Sequence, residues 1–593
     1  MRTAAGLAVV WVLALLFTLT TYTFTDDHFD RISRARQIAR YGELPFRDFF
    51  DPGYFLTEFV SAGAQRLAGD NLLGELILTS ALIATGALLV MMLVRRVAPS
   101  AVSAAVVTAL VILASPRPYD FDKFFFYPLG ILLCWHYIDR RTAGSLLWLS
   151  GTAVAAGMFR YDNGLFIAAG ALVAIVAVHV RDVSAMTRHA GVFAAGCIVS
   201  ATPYLLFLQL TAGIGDAAGQ MIDYARREGA RTRLAGVPTD VFSDLRIESL
   251  RPPPPDRIQI RWTPDADMER QQLETRYRLH DGVTRGDPAD RTWLYEIRDA
   301  SRENLRALID DPRVADTHLV DRATAQLTPQ ESPARRLHRR IPVLGRFNVS
   351  WSASGAAGLL YYVFVGVPLL AAVMAFTGRT EIAERARILS AAAVALPVAV
   401  FILRDPIVAR LGGAAGPTAV VGAWLWSRLH GSWPAKAAAA GIIVTAVAAT
   451  GFDVDSFRLR RVIEQASMSP PSPALVLERE EAALVEYLRR CTQPDDRIFA
   501  TWFVPQLYFF SGRGFAGGMV VTFGGHWSER DRQHRIVAKL KAEPVPVVVF
   551  QDAGSEFRAG YPIVDEYLRA NYSTAGSIDS YRVLTRNGKP GCR

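Results

Sequence analysis

Two adjacent carboxylates, Asp26 and Asp27, follow an apolar run at the start of the stretch TDDHFDRISRARQIARYGELPFRDFFDPGYF, residues 25–55. Polar side chains where a membrane helix emerges into water are costly unless they serve a purpose. The same loop supplies His28, Asp30, Arg47, Asp48 and Asp51. Three other segments between apolar runs are similarly rich. SPRPYDFDK carries Arg117, Tyr119, Asp120, Asp122 and Lys123, FRYDNG carries Arg160, Tyr161, Asp162 and Asn163, and LRDP carries Arg404 and Asp405. A carboxylate among other carboxylates and apolar walls gains basicity and can act as a general base. Carboxylates in a group also hold a divalent cation such as Mg or Mn, and Asp120 with Asp122 is the candidate pair. Arginines recognise phosphate by paired hydrogen bonds. This combination suits a phosphate-bearing substrate at a membrane surface and an acceptor hydroxyl to be deprotonated. Asp26 and Asp27 are the candidate catalytic residues. His28, Arg47, Asp48, Asp51, Tyr119, Lys123, Arg160, Asp162 and Arg404 are the candidate binding residues. Each pattern also has a plainer reading. Asp26 and Asp27 suit the first turn of a helix, Arg160 with Asp162 suits a structural ion pair, and Arg404 with Asp405 precedes a proline turn.

The elements that must position these groups are read from the apolar blocks. The 593 residues are 51% hydrophobic and 20% charged, with mean hydropathy +0.18. That is too apolar for a water-soluble chain of this length. About twenty apolar residues cross a bilayer as a helix. Clear candidates are 4–24, 72–94, 164–180, 190–211, 355–376 and 435–450, with shorter ones at 97–114, 124–138, 143–159, 388–403 and 407–426. The expected class is therefore mainly α, a polytopic membrane protein of about eleven spans, with an α/β domain at its C-terminal end. The net charge of +9 does not mark a nucleic-acid binder, because the basic residues sit in alternate short loops: Arg95–Arg96, Arg140–Arg141, Arg181 with Arg188, Arg379 with Arg385 and Arg387, and Arg428 with Lys436. The positive-inside rule places those loops and the N-terminus in the cytoplasm, and the C-terminal domain outside. The first apolar run is longer than a signal-peptide core and lacks a small-x-small site, so it is expected to stay as a span.

Four regions follow. Residues 1–211 form an N-terminal membrane module whose first outer loop spans 25–70. Residues 212–350 form a polar outer insertion with a PPPP run at Pro252–Pro255, stiff by nature. In it, RTWLYEIRDASRENLRALIDDPRVADTHLV reads as helical with a strand-like end. Residues 351–451 return to the membrane. Residues 452–593 alternate helix (REEAALVEYLRR, ERDRQHRIVAKLKA) with strand (RIFAT, VPVVVFQ, YRVLT), which suggests a small α/β sandwich. The FGGHWSERD loop there, with His526 and Trp527, is either sugar-contacting or a turn around a packed tryptophan. Cys134 and Cys197 read as core residues, while Cys491 and Cys592 share a tail where a disulfide is permitted.

The acidic pair ending the first span, the Ala- and Arg-bearing helix after it, and YGELPFRDFFDPG leading to the second span resemble the GT-C superfamily of membrane glycosyltransferases. Its bacterial relatives of protein O-mannosyltransferases and lipid A aminoarabinose transferases are the most similar. The resemblance covers mainly residues 1–180, and the insertion has no counterpart in it. It implies a sugar donor carried on polyprenyl phosphate, membrane lipid as surroundings, an unidentified acceptor (polysaccharide, lipid or protein) and an acidic base in the first outer loop. By position, Asp26 corresponds to the first acidic residue and Asp27 to the second, usually Glu, while Asp120 or Asp122 falls at the second-loop acidic position. The alternatives are a non-enzymatic lipid-linked sugar transporter or flippase, a polysaccharide polymerase or ligase, and a cell-envelope assembly scaffold. A transporter places its charges at mid-membrane on broken helices, whereas here they crowd the loops.

Overall fold

The structure is a computed structural model. It describes residues 2–587 apart from 70, 115–117, 232–245, 250–256, 267–269, 278, 284–290, 297–306, 309–310, 321–346, 351–352, 379, 403–407, 430, 450–455, 474–476, 478, 523–524, 552–554 and 579. The chain divides into two compact units. One joins residues 1–241 to 353–593, and the other is 242–352.

In the larger unit the N-terminal half runs α1 (Arg2–Thr21), α2 (Asp26–Tyr41), α3 (Phe55–Ala68), α4 (Leu73–Val94), α5 (Ala101–Leu113), α6 (Phe121–Arg140), α7 (Ala143–Phe159), α8 (Tyr161–Val178), α9 (Val183–Thr211) and α10 (Ile214–Arg231). In the smaller unit, strands β2 (Arg257–Trp262), β3 (His280–Val283), β4 (Thr292–Glu296) and β5 (Val314–Val320) form an antiparallel sheet in the order β3-β4-β2-β5. Before them, β1 (Arg246–Ser249) pairs with β6 (Phe347–Ser350), and α11 (Arg270–Arg276) lies within the same unit. Residues 292–296, expected to be helical, are a strand. Tyr295 is buried in the core with Ile258 and Ile260, and Trp293 packs at its margin. Alternation of that kind is satisfied by the period of two of a strand. The strand-like end of the same segment is β5. The proline run lies outside the described residues.

The larger unit resumes with α12 (Ala353–Thr377), α13 (Ile382–Ile402), α14 (Val408–Leu429) and α15 (Trp433–Ala449). Each of the apolar runs read from the sequence falls on a helix. Among the described residues, α1, α4, α8, α9 and α12 contain segments long and apolar enough to cross a membrane, and α5 and α7 are apolar but shorter. The protein is mainly helical and built for a membrane. α13 packs on α8 and α12, α6 on α4 and α8, and α1 on α4. The α4–α6 contact is backbone to backbone: a Cβ on Gly86 would lie 2.2 Å from the Phe124 carbonyl oxygen. The basic loops meet at one end of this bundle. Asp139 lies 2.5 Å from Arg387 and 3.8 Å from Arg96, and Glu384 pairs with Arg428. α6 runs from there to Phe121, and α7 from there to Phe159, so the acidic segments belong to the other end.

The C-terminal part adds α16 (Ser456–Ser467), α17 (Arg479–Cys491), β7 (Arg497–Ala500), α18 (Gln506–Ser511), β8 (Gly514–Phe515), α19 (Arg530–Ala542), β9 (Val547–Gln551), α20 (Ser555–Gly560), α21 (Pro562–Asn571), β10 (Tyr572–Ile578) and β11 (Tyr581–Arg586). The sheet order is β10-β11-β9-β7-β8, parallel across β9, β7 and β8 and antiparallel beyond. Both helices and the three strands expected from the sequence are present. Its two faces follow strand alternation. Ile498, Ala500, Val547 and Val549 join a core with Phe29, Ile32 and Ala35 of α2, while Phe499, Val548 and Phe550 join one with Phe50 and Trp527. The domain is thus packed onto the first loop within one unit. Cys491 is disulfide-bonded and Cys134 and Cys197 are free. Cys592 lies outside the described residues.

Candidate active site

α2 is the axis of the site. Thr25 precedes it in extended conformation, Asp26 and Asp27 occupy its first turn, and Gly42 ends it with φ 67°. The helix is polar in composition yet, apart from the half-buried Asp30, buried from His28 to Ile38. A buried polar helix is stable only where its charges find partners, and α2 finds them on every side. Ser33 Oγ donates to the Pro505 carbonyl at 2.9 Å and Gln37 Nε2 to the Phe515 carbonyl at 3.2 Å. Phe29 packs on Phe509 and Phe510 at centroid distances of 5.6 and 5.1 Å.

Residues four apart share a helix face, and neighbours are turned by about 100°. Asp26, Asp30 and Arg34 therefore form one row and Asp27 with Arg31 the next. Both rows line a cavity of about 480 Å3. In the second row, the Asp27 carboxylate accepts a hydrogen bond from the Tyr119 hydroxyl at 2.8 Å. Arg31 donates to the Tyr119 carbonyl, stands 3.9 Å from Asp122, and lies over the rings of Tyr54 at 4.7 Å and Tyr119 at 5.3 Å. In the first row, Arg34 is 2.9 Å from Asp30 and 3.6 Å from Glu58 of α3.

A second wall comes from the turn before α6 and from Arg160 between α7 and α8. Lys123 Nζ lies 2.6 Å from Asp120, and Arg160 Nε lies 2.8 Å from Asp162. Phe166, Val398 and Phe401 make this side apolar, with the Arg160 guanidinium 5.8 Å from the Phe401 ring centre. Behind it, Tyr127 donates to Asn163 at 2.7 Å and Asn163 to Asp122 at 2.8 Å. A third wall consists of Tyr224 and Glu228 of α10 with Trp502, Phe503, Val521 and His526 of the C-terminal domain.

The electrostatics differ from wall to wall. Burial raises the pKa of Asp120, but Lys123, Arg31 and Arg160 outweigh it and hold the carboxyl at about 2. Burial opposes the charges of Arg31 and Arg160, yet Asp122 next to the first and Asp162 next to the second keep both guanidinium groups above their ordinary range. Asp30 goes the other way, raised by burial more than Arg34 lowers it. Glu58, buried and facing Asp51, is raised well above the carboxylate range. The second wall thus holds fixed ionic pairs, while burial favours the protonated form at Asp30 and at Glu58 behind it.

Of the residues singled out in the sequence, Asp26, Asp27, Tyr119, Asp120, Lys123, Arg160 and Asp162 line the one cavity. Others are placed elsewhere. His28, turned away by the helical period, is fully buried with Nε2 2.9 Å from Glu75 of α4. Arg47 and Asp48 pair with each other at 2.6 Å, with Arg47 exposed. Asp51 closes the DPG turn, accepting from the Gly53 and Tyr54 amides at 2.6 and 2.9 Å. Asp122 sits behind the cavity against Asn163. Arg404 lies outside the described residues. Trp527 is a packed tryptophan, stacked on Phe50 at 5.4 Å, whereas its neighbour His526 faces the cavity. Arg31 and Arg34 were legible as i+4 partners of Asp27 and Asp30. Tyr224 and Glu228 meet His526 across some three hundred residues, and no local pattern announces that.

Among the described residues no group of three or more His, Cys, Asp or Glu gathers. Asp120 is engaged by Lys123 through Oδ1, and Asp122 accepts from Asn163 through Oδ2 while its Oδ1 is buried with no hydrogen-bond partner among the described residues.

No family model matches the chain, and no curated protein matches it. Among solved structures, the crystal structure of ArnT from Cupriavidus metallidurans bound to undecaprenyl phosphate matches 99% of this chain and 97% of that one, at 12% identity and a TM-score of 0.39. A likeness at that score carries no chemistry, which has to be read from the cavity itself.

Proposed function

We propose that the protein is an integral membrane glycosyltransferase of GT-C type, taking a sugar from a polyprenyl-phosphate donor to an acceptor hydroxyl. The observation that carries this reading is the convergence, in one cavity, of the first-loop carboxylates, the Lys123 and Arg160 cations and the apolar Phe166–Val398–Phe401 wall. The apolar wall suits the prenyl chain, and Lys123 with Arg160 suits the phosphate that must leave with growing charge. Asp26 or Asp27 accepts the proton of the acceptor hydroxyl, whose oxygen attacks the anomeric carbon. The bond from that carbon to the phosphate oxygen breaks, configuration inverts, and polyprenyl phosphate departs. Tyr119 holds the Asp27 carboxylate in place, and both aspartates lie in the N-terminal turn of α2. With the basic loops cytoplasmic, the cavity and the C-terminal domain face outward from a bacterial-type plasma membrane, and about eleven helices span it. The positive charge at the phosphate comes from side chains in this scheme, so transfer should survive chelation of divalent cations.

The test is transfer of radiolabelled sugar from polyprenyl-phosphate donors to envelope material by membranes carrying wild type, Asp26→Asn or Asp27→Asn at matched expression. Loss in one variant that remains folded supports the reading and identifies the base. Equal incorporation in all three, above a deletion background, refutes the catalytic assignment, and no incorporation by the wild type refutes the activity.

A further inference from the structure

The third wall of the cavity has a chemistry that the transfer scheme does not use. His526 is 4% exposed and lines the cavity, and its Nε2 lies 3.0 Å from Glu228 Oε1. An ionised carboxylate only accepts, so Nε2 carries the hydrogen, and the imidazole orientation is set from that side. Tyr224, one turn before Glu228 on α10, fixes the ring plane by stacking on His526 at 4.5 Å and 22°. Tyr561 holds the backbone by donating to the His526 carbonyl at 2.6 Å. The other ring nitrogen, Nδ1, is buried and has no hydrogen-bond partner among the described residues. A buried polar atom without a partner is costly, and most are satisfied. Here the partner can come from whatever fills the cavity.

We propose that His526, oriented by Glu228 and Tyr224, is a recognition subsite for a carbohydrate hydroxyl, with Nδ1 as the atom that bonds it. This rests on the reading that the cavity holds a lipid-linked sugar. The neighbouring charges select the class of group. Glu228, in contact with His526, disfavours a phosphate there, while a neutral hydroxyl is accepted by either charge state of the ring. The phosphate-directed cations, Lys123 and Arg160, belong to another wall. The subsite therefore discriminates among sugars without contributing to the binding of the lipid phosphate. The hydroxyl can belong to the donor's sugar or to a sugar acceptor, and the experiment separates the two.

Full-length protein in lipid nanodiscs would be titrated with undecaprenyl phosphate and with undecaprenyl phosphate carrying a pentose or a hexose. The proteins compared are wild type, His526→Phe, His526→Asn and Glu228→Gln. Phe keeps the stacking on Tyr224 and removes Nδ1, whereas Asn restores a polar atom near the Nδ1 position. For a donor hydroxyl, His526→Phe keeps its affinity for the bare lipid and loses about tenfold in affinity for the sugar-bearing lipid, and Asn recovers part of it. For an acceptor hydroxyl, both lipids bind as to wild type, and the acceptor concentration at half-maximal transfer rises about tenfold for Phe and less for Asn. Should Phe fail to fold, Glu228→Gln reports the same split through a misoriented ring. Variants that match wild type in all three measurements overturn the subsite. A wild type that binds neither lipid overturns the proposed function itself, which is a different result.

Discussion

Asp120→Asn tests the electrostatic account of the site most directly. Asp120 is 3% exposed and its carboxylate is 2.6 Å from Lys123 Nζ. Burial alone would raise its pKa, but Lys123, Arg31 and Arg160 bring it from 3.8 to about 2. One pKa unit corresponds to about 1.4 kcal/mol, so the ionised form contributes about 2 kcal/mol to folding at neutral pH. Because the folded pKa is depressed, this stability is present in full above pH ~4 and is lost as pH falls towards ~2. The substitution removes it and leaves Lys123, largely buried, facing a neutral amide, for a total cost of about 2–4 kcal/mol at pH 7. Unfolding of detergent-solubilised protein, followed by tryptophan fluorescence at pH 7, 5 and 3, gives the comparison. Between pH 5 and 3 the wild type should lose about 1 kcal/mol more than the variant. Parallel pH profiles, or equal stability at pH 7, would show that the Asp120–Lys123 pair is not the buried ionic contact described here.

Three further outcomes are expected. Whichever of Asp26→Asn and Asp27→Asn removes the base should lower sugar transfer by about 10²–10⁴-fold at unchanged lipid binding, and the other should stay within about tenfold. Arg160→Met should weaken undecaprenyl phosphate binding by about 10–100-fold, read by titration in nanodiscs, and an unchanged affinity would remove Arg160 from the phosphate site. Burial and the facing Asp51 raise Glu58 well above its ordinary value, which favours its protonated form. Glu58→Gln should then change stability by less than about 1 kcal/mol and flatten no pH profile below pH 5, as melting curves would show.

The membrane helices were legible because apolar length is a direct physical requirement of the bilayer, and each expected run falls on a helix. The first-loop carboxylates were legible because charge beside apolar runs is expensive. His28 shows the limit of reading a loop as a cluster. Once residues 26–41 are helical, Asp26, Asp27, Asp30, Arg31 and Arg34 share an arc and His28 does not. The i+4 spacing of Asp27 with Arg31 and of Asp30 with Arg34 would have separated them. Asp48 and Asp51 went the same way, one to a surface pair and one to a turn. The wall made by Tyr224, Glu228 and His526 had no local signal, since packing between distant segments created it. The strand at Thr292–Glu296 was misread because a short apolar run satisfies both periods, and its pairing partners decide.

The burial of α2 under the C-terminal domain bears on how the protein is made. Ser33 and Gln37 bond backbone carbonyls of Pro505 and Phe515, and Phe29 rests on Phe509 and Phe510. The partners of residues 26–41 lie some 470 residues further along the chain, beyond helices α4 to α15. Until they are made, this helix displays arginines and carboxylates with few of their final partners. A nascent chain therefore holds an unfinished cavity until Trp502, Phe503, Val521 and His526 have been made. Loss of the segment that carries Pro505, Phe509, Phe510 and Phe515 should be read by the cell as a quality-control defect of the first loop, although that loop's own sequence is intact.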